Sequence, residues 1–166
     1  PLYNTGIAVD LVDLYAHGGE PHKALALLDQ IQPRVNASGY AANKLSLLQA
    51  RAWALAALGE DDAARKAALA VVEAGPSSDF DLWLKDAYEV LYRIEKKQGH
   101  DAAALGYYKK YAALDKAYLD DVNARALAYE TVQQHVLAQK LETEKLGQQN
   151  EALRMQQQLD AKTAET

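Results

Sequence analysis

A chain of 166 residues, 49% of them apolar, holds roughly one to one and a half domains and enough hydrophobic mass for a continuous core. Its formal charge of −5 is thinly spread, −2 over residues 1–116 and −3 over 117–166, so no basic stripe meets a phosphate backbone and nucleic-acid binding is not expected. Without cysteine there is neither a disulfide nor thiolate chemistry, and the redox compartment stays open.

The first helix is predicted over about Tyr3 to His17, with Leu11, Leu14 and Tyr15 facing inward. A second follows from Pro21 to about Gln32, its apolar stripe being Ala24, Leu25, Leu28 and Ile31. Pro33 and the segment Asn36-Ala37-Ser38-Gly39 read as a connector. The third helix covers about Ala41 to Leu58 and the fourth Asp61 to Ala74. Gly75-Pro76-Ser77-Ser78 is the clearest break, with Ser78 placed to cap a fifth helix that reaches Gln98. A sixth begins near Asp101, and no stretch alternates with period two, so no strand is expected.

Three glycines, Gly19, Gly59 and Gly99, stand forty residues apart, and each is followed five residues later by an alanine: Ala24, Ala64 and Ala104. A fixed period of this size is the signature of stacked repeats. Glycine closes one helix in the left-handed conformation, while carboxylates or proline suit the first turn of the next. The small alanine allows close approach, so the unit is a helix, a tight turn and an antiparallel helix, used three times.

This unit resembles the tetratricopeptide repeat (TPR). Tyr15, Gly19, Ala24 and Leu28 match that pattern in the first repeat, Gly59, Ala64 and Pro76 in the second, and Gly99, Ala104 and Tyr108 in the third. Leu55 and Glu95 stand where the family prefers tyrosine, Ala68 replaces a large residue, and the period is six longer than the family's. The resemblance implies an all-α, TPR-like solenoid of three helix hairpins over residues 1–116, with repeats at about 3–36, 41–76 and 79–116.

Beyond it, residues 117–166 are expected to form a long C-terminal, coiled-coil-like helix. From Ala117 to Ala161 there is no proline and one glycine, Gly147. At 1.5 Å per residue that stretch would extend about 65 Å as one helix. One broken stripe runs through Tyr129, Val132, Val136, Leu146, Asn150 and Leu153, a second through Ala138, Leu141, Ala152, Met155 and Leu159. In the first, Asn150 takes an a-like position between Leu146 and Leu153 at d-like ones, a device that fixes register and strand number. Parallel homodimerisation through Val132, Val136, Leu146, Asn150 and Leu153 is expected; a helix that caps the repeats and frays beyond about Leu146 is the alternative.

The run from Tyr108-Lys109-Lys110-Tyr111 through Leu114-Asp115-Lys116 into Leu141-Glu142-Thr143-Glu144-Lys145 and Gln149-Asn150-Glu151-Ala152-Leu153 is similar to the exit segment of bacterial TPR-containing signalling proteins. That likeness implies an extracytoplasmic, periplasmic sensor region, a membrane anchor shortly after this stretch, and a GGDEF diguanylate cyclase output domain, or a histidine kinase. The chain begins at Pro1, carries no apolar run of membrane length, and is expected to be a fragment or processed form. A stand-alone TPR adaptor, with cytoplasmic location, is the alternative.

No catalytic constellation stands out, and no cofactor or metal is expected. His17, His22, His100 and His135 lack metal spacing on one helix, and no G-x-S-x-G is present. Glu60-Asp61-Asp62 fits the dipole of the helix it opens, and Asp120-Asp121 a solvated surface. Most tyrosines, Tyr15, Tyr88, Tyr92, Tyr108 and Tyr111 among them, fall near packing positions, and Trp83 is expected against the fourth helix. In the TPR frame Trp53 lines the concave groove together with Asp13, His17, Gln49, Glu89, Arg93 and Lys96. One large aromatic with both charge signs suits a peptide, a protein segment or a small polar ligand. Asp10 and Ala50 stand where some TPRs place the asparagine that clamps a terminal carboxylate, which disfavours chaperone C-terminus binding.

Overall fold

The computed structural model describes residues 4–75 and 81–164. They are all-helical, with no strand among them. Six helices follow in order: α1 Thr5–His17, α2 Pro21–Ser38, α3 Ala41–Ala57, α4 Asp61–Glu73, α5 Asp81–Lys97 and α6 Asp101–Ala164. The chain divides into two compact units, Pro1–Tyr118 and Leu119–Thr166, and α6 contributes to both.

In the first unit the three glycine turns are chemically the same. Gly19, Gly59 and Gly99 have φ of 80°, 80° and 77°, left-handed values that a side chain resists. The amide after each glycine reaches back to the carbonyl five residues earlier: Glu20 to Tyr15 at 3.0 Å, Glu60 to Leu55 at 2.9 Å, His100 to Glu95 at 2.9 Å. This is the Schellman closure, which satisfies carbonyls that the ending helix leaves orphaned. Four residues on, the amides of Ala24, Ala64 and Ala104 close the first turn of the next helix on the carbonyls of Glu20, Glu60 and His100. All three alanines are buried.

Helix starts follow the local chemistry. The Asn4 side chain accepts from the Gly6 amide at 3.2 Å, Pro21 opens α2, and Asp61 and Asp62 lie in the first turn of α4, where its dipole favours them. Successive hairpins pack on one another, α1 and α2 against α3, then α3 and α4 against α5. Val12, Leu28, Val35 and Leu47 form a core among α1, α2 and α3; Ala52, Ala68, Leu91 and Ile94 form another among α3, α4 and α5. Removing a side chain such as Leu28 from water contributes about 2 kcal/mol. Trp83 packs on the second of these clusters, which includes α4.

Several expectations need correction. Leu14 is 65% exposed, because the buried stripe of α1 is Ala8, Val9, Val12 and Ala16, one position round the helix. The second helix does not stop at Gln32: it passes through Pro33 to Ser38, and Gly39 ends it. Val35 is fully buried there, so packing outweighs the hydrogen bond that proline removes. The stretch from Asn36 to Ser38 is therefore helix and not connector. Tyr108, expected in the core, is 45% exposed. The Ser78 cap lies outside the described residues.

The second unit is helical to Ala164. Its large apolar side chains stand in solvent: Val132 is 61% exposed, Val136 58%, Leu146 54% and Leu153 57%.

Candidate functional site

Position 13 of the chain recurs at 53 and 93 in the forty-residue register, and these three positions carry Asp13, Trp53 and Arg93. They lie on α1, α3 and α5, the first helix of each hairpin, and the structure assembles them with their neighbours into one connected cluster. His17, four residues and one turn beyond Asp13, shares its helix face. Its Nδ1 lies 3.3 Å from an Asp13 carboxylate oxygen and 3.1 Å from the Asp13 carbonyl. Its Nε2 faces Asp86 Oδ2 at 3.5 Å.

Two carboxylates hold the imidazole charged. The Asp13 side chain first, then Asp86, raise the His17 pKa to about 10, against the opposing cost of partial burial. Both ring nitrogens are then donors. The 3.3 Å approach of Nε2 to the Gln49 amide nitrogen is accordingly a hydrogen bond only when the ring is neutral. Gln49 is buried on α3 and gives its amide hydrogen to Asp86 Oδ2 at 3.2 Å, while its Oε1 has no partner among the described residues.

The Trp53 ring receives two cations. The His17 ring lies against it tilted by 32°, with centroids 4.4 Å apart, and the Arg93 guanidinium lies 4.9 Å from its centroid. Arg93 also pairs with Glu89, one turn earlier on α5. Beside the tryptophan, a cavity of about 130 Å³ opens between α3 and α5. Ala56, Val90 and Ile94 give it apolar walls; Arg93 and the Lys97–Asp61 ion pair, 2.7 Å long, stand at its edge. Such a place suits a small apolar group attached to a polar or charged one.

Six of the seven groove residues expected from the sequence thus come together: Asp13, His17, Gln49, Trp53, Glu89 and Arg93. Lys96 does not. Its Nζ bonds the Tyr92 hydroxyl at 3.1 Å, beside a different cavity. Sequence reasoning does not reach Asp86, although its spacing to Glu89 and Arg93, three and seven residues, places all three on one helical face. Nor does it reach a group at the third turn. Glu95 is buried, accepts from Arg65 Nε at 3.0 Å and lies 2.7 Å from His100 Nδ1. His100 and then Arg65 hold its carboxyl below the usual range despite burial. The departure from tyrosine at this repeat position is the signal that could have found it.

Among the described residues no group of His, Cys, Asp and Glu is arranged to hold a metal ion, and no helix is long and apolar enough to cross a membrane. Comparison with family models, with curated proteins and with solved structures returned no match to this chain.

Proposed function

We propose that this chain is a non-catalytic sensor and interaction module. Residues 1–116 act as a TPR-like array of three hairpins, and a peptide, protein segment or small polar ligand binds along the first helices of the hairpins. The observation that carries this reading is the cluster around Trp53, to which α1, α3 and α5 each contribute the side chain at the same repeat position. A ligand there touches all three hairpins at once, so its binding free energy differs between arrangements of the array, which is the requirement for coupling.

The long helix supplies the relay. Its apolar stripe through Val132, Val136, Leu146, Asn150 and Leu153 pairs with the same stripe of a second copy, and α6 carries the change onward. The output is a downstream domain, a GGDEF diguanylate cyclase producing cyclic-di-GMP, with the sensor in the periplasm. The support for this last step is the likeness of the tail to such proteins and the continuity of α6 from the third turn to Ala164.

Thermal denaturation in the presence of a panel of peptides and small polar compounds tests the groove. A ligand is expected to raise the unfolding temperature of the native chain and to lose that effect in Trp53→Ala. A ligand whose effect survives both Trp53→Ala and Arg93→Ala removes the groove from the proposal.

A further inference from the structure

The forty-residue register exposes a change confined to the third hairpin. Val12 and Ala52, both fully buried, are followed by Tyr92; Leu28 and Ala68, also fully buried, by Tyr108; Ile31 and Val71 by Tyr111. Ala16 and Ala56 are followed by Lys96. In the first two hairpins this side receives a helix: α3 packs on α1 and α2, and α5 packs on α3 and α4. In the third, α5 and the 101–118 part of α6 leave a cavity of about 250 Å³ lined by Tyr92, Lys96, Ala104, Leu105 and Tyr108 with Asp101. Leu105 is 53% and Tyr108 45% exposed.

Lysine outnumbers carboxylate around this face, where Asp101 is the acidic residue that lines the cavity. Lys23, Arg51, Arg65, Arg93 and Lys97 each pair with a carboxylate. Lys96, Lys109 and Lys116 have no such partner among the described residues, and all three are exposed. On α6, Leu105, Lys109, Ala112 and Lys116 recur at helical spacing and so share one face. Tyrosines that present apolar rings and reachable hydroxyls, set among lysines without counter-charge, have the composition of a contact surface.

We propose that the open face of the third hairpin is a docking site for an acidic amphipathic helix of a partner protein. The helix lies where the next hairpin's first helix would sit, its apolar residues on Leu105, Tyr108 and the cavity, its carboxylates on Lys96, Lys109 and Lys116. Helical shape follows from what the same face holds in hairpins one and two, and acidity from the surplus of lysine. This site is distinct from the groove at Trp53 and does not depend on it.

The test uses the full chain and two labelled peptides of about 20 residues with leucines spaced for one helix face, one with glutamate at its other positions, one with lysine. Fluorescence anisotropy is expected to show binding of the glutamate peptide that weakens as salt rises, and little binding of the lysine peptide. The triple charge reversal K96E/K109E/K116E, which touches only exposed side chains, is expected to weaken it at least about tenfold. Tyr108→Ala does the same, with unchanged circular dichroism, and Trp53→Ala leaves binding intact. Failure of the glutamate peptide to bind, equal binding of both peptides, or indifference to the charge reversal each overturns the proposal. So does tighter binding to phosphatidylglycerol vesicles than to the peptide, which makes the face a membrane contact, or loss of self-association in the triple variant, which makes it a contact between copies.

Discussion

His17 shows how a residue on a half-exposed helix end acquires a charge it would not hold in water. Asp13 on its own helix and Asp86 on α5 bracket the ring, and its pKa rises from an ordinary 6.5 to about 10. The sign of the linkage follows. The folded state binds the proton more tightly, so the contribution is fully present below the unfolded pKa and is lost as pH climbs through about 10. Thermal unfolding of His17→Gln against the native chain is therefore expected to show its largest deficit below about pH 6.5. That deficit shrinks steadily toward pH 10; one that grows with pH would place the ring in the folded state as a neutral base. The same residues show what composition conceals. That Trp53 shares a helix face with Gln49 is legible from their spacing, whereas its contact with His17 and Arg93 is not, because these arrive from helices one period away on either side. Glu95 and Arg65 are illegible for a related reason: their pairing crosses from α4 to α5, and no local spacing announces it.

At the scale of the element, helix ends are readable where chemistry at the turn is strong. The glycine–alanine pairs locate the turns at Gly19, Gly59 and Gly99, since left-handed closure favours one residue type. The end of α2 is hidden because Pro33 is a local signal and Val35 is a tertiary one, and burial of Val35 prevails. Leu14 misleads because a leucine three residues from Leu11 fits an inward stripe as well as the real one. A pair of substitutions separates turn glycines from helix glycines. Gly59 has φ of 80° and open space where an added methyl would stand, so Gly59→Ala is expected to cost about 1–2 kcal/mol by backbone strain alone. Gly147 lies inside α6 in open space, and Gly147→Ala is expected to gain about 1 kcal/mol of helix stability. Chemical denaturation for the first and far-UV circular dichroism on heating for the second read the opposite signs.

For the molecule as a whole, the long helix poses the largest question of stability. A helix with Val132, Val136, Leu146 and Leu153 all more than half exposed gains little from its own sequence, because helices draw most of their stability from packing an apolar face. The pairing with a second copy proposed above would cover these side chains, and Asn150 between Leu146 and Leu153 would then favour two strands in register. Sedimentation equilibrium is expected to return a dimer for the native chain and a monomer for Leu146→Lys with Leu153→Lys. Asn150→Leu is expected to give a more stable but less uniform assembly, with higher species present. A monomer at all concentrations removes the seam and, with it, the relay.

The likeness of the three turns has a practical corollary. Excising residues 61–100 would splice Gly59-Glu60 directly onto Asp101-Ala102-Ala103-Ala104, a junction of the same chemical kind as those already present. Shortening or lengthening this protein by whole multiples of its period is thus a conservative edit at the cut, whereas any other length of deletion joins unlike halves. Such a molecule is open to growth by duplication.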